Sequence, residues 1–190
     1  MDAGIGRILQ ALDDDALRAN TLVVFMSDNG GDANGRNAPY SGRKGTTYEG
    51  GIHVPCIARW PRHLPEGQVV PHVAMTMDVT VSIVRIAGAR FPADRPADGI
   101  DILAEIEQDR PLLPRQLFWR GRRGEITWRA ARDGDLKRVW KQDGVERESW
   151  LFDLGNDPAE RTNLLADRAE EAARLQTLMA DWEREVAPRR

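Results

Sequence analysis

The 190-residue sequence contains a single cysteine, Cys56, which excludes an internal disulfide and leaves the redox compartment undetermined. It has no run of about 18 apolar residues, which excludes a transmembrane helix. Residues 1–7 lack the apolar core of a signal peptide. The net charge of −3 gives no electrostatic reason to expect nucleic acid or an anionic membrane as a partner. These absences leave the cellular location unknown.

Lysine is also scarce. The 27 lysines and arginines include only three lysines, Lys44, Lys137 and Lys141. Because lysine is rare in this sequence, we expect Lys44, which lies in a glycine-rich loop, to have a specific role. The content of 41% hydrophobic and 30% charged residues is typical of a globular protein. The length suits one domain, or one domain with a small appendage.

The most informative segment is an apolar run that ends in polar side chains. Leu22–Met26 has the composition of a strand covered on both faces, and Asp28-Asn29-Gly30-Gly31 follows it. Catalytic groups in open α/β sheets lie just past the carboxyl ends of strands. Carboxylate and carboxamide oxygens are ligands for a divalent cation, so we expect Asp28 and Asn29 to converge on one point there. The alternative is a simple turn, for which Asp-Asn-Gly is equally suitable.

The remaining pattern indicates two parts, over residues 1–110 and 111–190. In the first part we predict helices over Gly4–Leu17 and Asp78–Ala87, a strand over Val54–Trp60, and a connection with a short helical piece near Ile102–Ile106. The second part has short, aromatic-rich strands separated by Asp-Gly turns, which favour hairpins. These strands cover Gln116–Arg120, Ile126–Arg132, Leu136–Lys141 and Trp150–Asp153. A helix over Asp167–Val186 follows, and the tryptophans are expected to serve packing rather than to bind carbohydrate.

Several short motifs resemble those of the sulfatases, the sulfate-ester hydrolases of the alkaline-phosphatase-like superfamily. They occur in the family's order and span almost the whole chain. They are Ser27-Asp28-Asn29-Gly30, Gly42-Arg43-Lys44-Gly45-Thr46-Thr47-Tyr48-Glu49-Gly50-Gly51, Val54-Pro55, Arg59-Trp60-Pro61, Asp98-Gly99-Ile100-Asp101, the run from Leu151 to Glu160, and Thr162-Asn163-Leu164. The resemblance is to the carboxyl-terminal part of such enzymes. It implies part of a large mixed α/β sheet with flanking helices, followed by a small antiparallel sheet with a C-terminal helix.

The resemblance also implies roles for three residues. Asp28 and Asn29 correspond to half of a calcium site, and Lys44 corresponds to a catalytic lysine that binds the sulfate of a sulfate ester. The other two calcium ligands of the family are aspartates with no counterpart here. The run of aspartates at residues 13–15 is better interpreted as a solvated helix end. His53 is expected to be structural, and His63 and His72 are expected to lie in surface loops.

The nucleophile of the family is missing. Sulfatases convert a cysteine or serine within C-x-(P/A)-x-R to formylglycine, whereas Cys56 is followed by Ile57-Ala58-Arg59-Trp60, with the arginine one position early. We therefore expect Cys56 to be a buried packing residue. Three hypotheses stay open: a sulfatase fragment that is inactive alone, a phosphonate or phosphate ester hydrolase of the same superfamily, and a non-catalytic binding or assembly module. Self-association, or binding to a missing amino-terminal part, is expected.

Overall fold

The computed structural model describes residues 1–111 and 114–187. The elements follow one another as α1 (Asp2–Asp14), a 3₁₀ turn (Arg18–Asn20), β1 (Val23–Met26), α2 (Glu49–Ile52), β2 (Cys56–Arg59), α3 (Thr76–Ile86), α4 (Ile102–Glu107), β3 (Gln116–Arg123), β4 (Ile126–Asp133), β5 (Leu136–Asp143), β6 (Glu146–Asp153) and α5 (Ala169–Glu185). The predicted elements are confirmed to within a few residues, except that α2 was not predicted and β6 begins four residues before the predicted strand. None of the helices in the described part combines the length and apolar content needed to cross a bilayer.

The chain divides into two compact units that do not correspond to a single cut in the sequence. The first unit contains residues 1–25 and 56–113, and the second contains residues 26–55 and 114–190. The long loop after β1 therefore belongs with the C-terminal sheet, although 58 residues of the first unit separate them in sequence. The side chains expected to form the site lie on this loop.

In the first unit, α3 and α4 are joined by hydrogen bonds to buried polar side chains. The Asp78 carboxylate accepts hydrogen bonds from the N–H of Met75 at 2.6 Å and of Ile100 at 3.0 Å. The Ser82 hydroxyl oxygen accepts a hydrogen bond from the N–H of Leu103 at 3.1 Å. Both Asp78 and Ser82 are fully buried. These bonds satisfy backbone donors near the start of α3 and within α4, which explains how such short helices are held.

Strands β1 and β2 form a sheet of only two strands in the described residues. Leu22 and Val24 are half-buried and Phe25 is 37% exposed, so these residues are incompletely buried in the single chain. The expectation of a strand covered on both faces is not met within the chain. The prediction that Cys56 is buried is wrong. It is exposed, because β2 pairs with β1 alone and three of its four residues face solvent.

The second unit is built on a four-stranded antiparallel meander in the order β3-β4-β5-β6. Each hairpin has a two-residue loop that begins with a glycine at positive φ, namely Gly124, Gly134 and Gly144. Glycine at the first loop position with positive φ is the requirement of a type II′ turn. The predicted hairpins are thus confirmed, but the aspartates of the Asp-Gly pairs close the strands rather than occupy the loops.

The two faces of this meander bury different clusters. On one face, α5 packs against Ala131 and Leu151 through Ala172, Leu175 and Met179. On the other face, Tyr48 from the long loop packs against the cluster formed by Ala130, Val139, Phe152 and Leu154, with Trp119, Trp128 and Trp150 at its border. The packing role expected for the tryptophans is confirmed. Val186, the last residue of the predicted helix, lies just past the end of α5 and is 49% exposed.

Candidate functional site

Backbone hydrogen bonds fold the long loop back on its own first residues. The N–H of Gly30 donates to the carbonyl of Gly51 at 2.9 Å, and the N–H of Lys44 donates to the carbonyl of Gly31 at 2.9 Å. The segment that carries Asp28 and the segment that carries Lys44 are thereby adjacent, although 16 residues separate the two in sequence. Much of the long loop is therefore an ordered scaffold rather than a flexible connection.

Glycine is required where the segments cross. A Cβ atom on Gly30 would lie 1.8 Å from the carbonyl oxygen of Gly50, so no side chain fits there. Asn37 completes the crossing, because its side-chain oxygen accepts from the N–H of Gly31 at 2.7 Å and its amide donates to the carbonyl of Gly31 at 3.0 Å. Close backbone approach of this kind is one of the main uses of glycine in proteins.

Asp28 and Asn29 lie at the carboxyl end of β1, one exposed and one half-buried. The Asn29 amide donates to the carbonyl of Gly30 at 3.1 Å, which directs its nitrogen into the turn and leaves its side-chain oxygen without a hydrogen bond in the described residues. The Asp28 carboxylate forms no hydrogen bond or ion pair with any described residue. Two hard oxygen donors are therefore available, and this donor set fits part of the shell of a calcium ion.

The described residues do not offer a complete metal site of the common ligand types. In residues 1–111 and 114–187, no three His, Cys, Asp or Glu side chains lie close enough together to hold a metal ion. No hydrogen bond or ion pair joins the side chains of Asp28, Asn29 and Lys44 within these ranges either. Whether the oxygens of Asp28 and Asn29 converge on one point stays a prediction.

Lys44 is exposed, and its ammonium group forms no ion pair with any described carboxylate. Its own carbonyl oxygen accepts a hydrogen bond from the guanidinium of Arg123, with Nη1 at 3.3 Å. Arg123 is the last residue of β3, so the small antiparallel sheet contacts the loop directly at Lys44. The sequence did not indicate this contact, because the two residues are 79 positions apart.

The loop is anchored to the sheet by a buried lysine between two carboxylates. The Nζ atom of Lys137, on β5, lies 2.6 Å from Oε1 of Glu49 and 2.9 Å from Oε1 of Glu160. The second carboxylate oxygen of Glu160 accepts a hydrogen bond from the N–H of Glu49 at 2.6 Å. Lys137 is completely buried, and both glutamates are 5% exposed. The cluster joins three separate segments of the sequence, and we call it the Lys137 cluster.

The two glutamates of the Lys137 cluster differ in acidity. Burial acts to raise the pKa of Glu49, but its hydrogen bond with His53 and the charge of Lys137 outweigh burial and lower that pKa to about 2. At Glu160 burial dominates and raises the pKa of the carboxyl group, although Lys137 and the N–H of Glu49 act against it. Glu49 is therefore the firmly ionised partner of Lys137.

Aromatic contacts extend the anchor on both sides of Glu49. His53 Nδ1 lies 2.8 Å from Glu49 Oε2, and its ring stacks on Tyr40 with centroids 4.4 Å apart. Tyr48 packs edge-on against Trp128, with centroids 5.6 Å apart, and burial raises the pKa of its phenol. The structural role predicted for His53 agrees with these contacts. The importance of Glu49 and Lys137 was missed, since neither their spacing nor their motif letters indicate an ion pair.

Comparison with known proteins agrees with the motifs. The family model described as Sulfatase matches residues 1–89. The chain is 42% identical over 119 residues to steryl-sulfatase from Mus musculus, an alignment that covers 57% of this chain and 19% of that protein. It is 34% identical over 192 residues to N-acetylgalactosamine-6-sulfatase from Sus scrofa, covering 85% of this chain and 37% of that protein. The chain thus spans well under half the length of these relatives.

A solved structure extends the similarity to nearly all of the chain. The crystal structure of Ps i-CgsB in complex with k-i-k-neocarrahexaose superposes with a TM-score of 0.85 at 27% identity, covering 95% of this chain and 40% of that one. The predicted fold class, mixed α/β with an antiparallel sheet and a C-terminal helix, is confirmed by this match. Family model, relatives and structure agree, and the chain belongs to the sulfatase family of the alkaline-phosphatase-like fold.

Proposed function

We propose that this chain forms part of a calcium-dependent sulfuric ester hydrolase. In this proposal Lys44 binds the sulfate group of the substrate, and Asp28 and Asn29 supply two of the oxygen ligands of the calcium ion. The family itself is established from the comparisons above. The assignment of the metal, of the three residues and of the sulfate ester substrate is the proposal.

The adjacency of the two loop segments is the observation that carries the proposal. The bond between the N–H of Lys44 and the carbonyl of Gly31 brings the backbone of Lys44 next to the segment that carries two uncommitted oxygen donors. A sulfate ester is an anion, so a cationic side chain and a metal ion at one strand end form a suitable binding site. The Lys137 cluster supports this arrangement, because it fixes the same loop to the sheet at Glu49, five residues past Lys44.

The chemistry expected of these residues is electrostatic. A bound divalent cation would withdraw charge from the sulfate oxygens. Lys44 would hold the sulfate in place and offset the negative charge that develops as the ester bond breaks. Asp28 and Asn29 would hold the metal and would not touch the substrate directly. None of the three residues attacks the sulfur atom in this scheme.

Bond cleavage requires a nucleophile that these 190 residues do not contain in the family's form. Cys56 lies outside a C-x-(P/A)-x-R motif, and it lies in β2 rather than on the loop. Positioning and charge stabilisation supply much of an enzyme's rate, but only when a reacting group is present to be positioned. We therefore propose that the 190-residue chain alone binds calcium and sulfate but does not hydrolyse sulfate esters.

Calcium binding tests the metal assignment without depending on activity. We expect millimolar calcium to raise the melting temperature of the chain and to give a binding isotherm by calorimetry. Asp28→Asn should weaken both effects, because it removes the charged ligand while keeping the side-chain shape.

Asp32→Asn is the matched control. It removes the same charge four residues away, and asparagine still accepts the hydrogen bond from the N–H of Asn34 that Asp32 accepts at 2.9 Å. An equal loss of calcium response in both variants would contradict a metal role for Asp28, as would the absence of any response in the wild-type chain.

A further inference from the structure

Arg123 covers the backbone of the loop at the position of Lys44. Its Nη1 donates to the Lys44 carbonyl oxygen at 3.3 Å. The next residue, Gly45, has φ of +90°, and a Cβ atom there would lie 3.1 Å from both Cδ and Nη1 of Arg123. A side chain at position 45 would crowd the arginine, so glycine leaves room for this contact.

The charges at this contact are not balanced by the protein. Neither Arg123 nor Lys44 forms an ion pair with a carboxylate in the described ranges, and both residues are exposed. A guanidinium without a carboxylate partner attracts an anion, and an anionic group bound at Arg123 would offset its charge. A guanidinium that donates one hydrogen bond still has several N–H groups free to bind another acceptor.

Neighbouring arginines on the same hairpin behave differently. Arg120 and Arg129 both lie within 3.7 Å of the carboxylate of Glu183 on α5. Arg122 donates to the carbonyl of Gly124 at 2.9 Å and lies 3.3 Å from the carboxylate of Glu125. Alternate residues of a strand point to opposite faces, so Arg123 shares the loop-facing side of β3 with Trp119, whereas Arg122 does not. Arg123 is thus distinct from its neighbours in both contact and charge balance.

We propose that Arg123 is a specificity-determining residue that binds a second anionic group of the substrate next to the sulfate held by Lys44. This inference rests on the proposed function, because it takes Lys44 as the sulfate-binding residue. The substrate class that fits is a sulfate ester that carries a second sulfate or a carboxylate close to the first sulfate.

The two cations suit different tasks. The ammonium of Lys44 is a compact charge on a flexible stem, whereas the planar guanidinium of Arg123 matches a carboxylate or sulfate through two parallel hydrogen bonds. A guanidinium that already donates to the Lys44 carbonyl loses less freedom when it binds a second acceptor. An anion placed by Arg123 would therefore be recognised by geometry as well as by charge.

Binding of defined sulfated sugars to the 190-residue chain tests the inference. The probes are a hexose 6-monosulfate, a hexose 3,6-disulfate and a monosulfated disaccharide that contains a uronate, titrated by calorimetry or NMR in the presence of calcium. We expect the wild-type chain to bind at least one dianionic sugar about tenfold more tightly than the monosulfate, as one extra charge-assisted hydrogen-bonded contact would give. Which of the two binds more tightly identifies the second group as sulfate or carboxylate.

Arg123→Gln should remove that preference, so that the dianionic sugars bind no more tightly than the monosulfate. Arg122→Gln is the matched control, since it removes one positive charge from the adjacent exposed position and should retain the preference. Equal loss in the two variants would mean that the effect is only net charge, and it would overturn the inference. So would a wild-type chain that binds all three sugars equally.

Lys44→Ala separates failure of this inference from failure of the proposed function. If Lys44→Ala leaves monosulfate binding unchanged, the proposed function is wrong. If Lys44→Ala abolishes monosulfate binding and Arg123→Gln behaves like Arg122→Gln, the proposed function stands and the role of Arg123 is wrong.

Discussion

The ammonium of Lys137 lies 2.6 Å from a carboxylate oxygen of Glu49, and the Lys137 side chain has no exposure to solvent. A buried ion pair of this kind contributes little net stability relative to an apolar pair, because both charges lose their hydration. Removing one partner is much more damaging, since the remaining charge has no compensation. The pair therefore makes the position of the loop sensitive to a residue far away in the sequence.

Replacing Lys137 by methionine should strongly destabilise the second unit. The substitution leaves Glu49 and Glu160 buried without a cation, and loss of one partner of a buried pair costs about 3–5 kcal/mol. Urea unfolding monitored by tryptophan fluorescence measures this change. Lys141→Met is the control, because Lys141 pairs with Glu148 near the surface and should cost far less. Similar stability of the two variants would contradict the importance of the Lys137 cluster.

Stability should fall as the pH is lowered from about 4.5 towards 2. The pKa of Glu49 is lowered from 4.5 to about 2 in the folded chain, so its contribution is complete above pH 4.5 and is lost as the folded form takes up a proton. At 1.36 kcal/mol per pKa unit this amounts to about 3 kcal/mol at most. Glu160 acts in the opposite sense, because protonation relieves part of the cost of burying it.

Urea midpoints between pH 2.5 and 7 measure this dependence. Glu49→Gln should be less stable than the wild type at neutral pH but should lose less stability on acidification. Glu148→Gln is the control, because it removes one negative charge from a surface ion pair. Its stability should depend on pH as that of the wild type does. If the urea midpoint of Glu49→Gln falls with pH as steeply as that of the wild type, other carboxylates control the acid transition.

The 190-residue chain should show no turnover of an aryl sulfate, with or without added calcium. The sequence lacks the family's nucleophile motif, so it supplies no group of that form to attack a sulfate ester. Release of the phenol, followed by absorbance, measures this directly. Turnover that disappears in Lys44→Ala would refute the prediction and would require a different nucleophile.

The isolated chain should self-associate or bind a polypeptide that supplies further strands to β1 and β2. Phe25 is 37% exposed and Ile57 is 62% exposed on this two-stranded sheet, and unpaired strand edges favour pairing with another chain. Sedimentation velocity of Ile57→Lys should show less association than the wild type. Val145→Lys, at a 97% exposed hairpin position, should have no effect. A compact wild-type monomer with cooperative, high-temperature unfolding would contradict this expectation.

Local patterns in the sequence were sufficient for most of the fold. Alternation and turn glycines define the four-stranded meander, and the three- and four-residue spacing of Ala172, Leu175 and Met179 defines the buried face of α5. These signals are local, because neighbouring residues determine strand, turn and helix. The error at Cys56 arose differently. An apolar strand was assumed to be covered, yet coverage depends on which other strands are present, and local sequence does not contain that information.

The candidate site was only partly predictable. Asp28, Asn29 and Lys44 could be singled out because they occur in a recognisable order after an apolar strand. The contacts that hold them could not, because Lys137 is 88 residues from Glu49 and Arg123 is 79 residues from Lys44. Pairing over such distances depends on how β3 and β5 pack against the loop. That packing becomes known only from the folded structure.

The split arrangement of the second unit has a consequence for synthesis on the ribosome. The Glu49 carboxylate pairs with the ammonium of Lys137. The N–H of Glu49 donates to the carboxylate of Glu160, which is synthesised 111 residues later. At about 5–20 residues per second, roughly 5–20 s pass before both partners of the loop exist. During that interval the glycine-rich segment is open to enzymes and chaperones that act on nascent chains. A chain whose synthesis ends before residue 160 lacks Glu160, so its loop cannot be anchored by the complete Lys137 cluster.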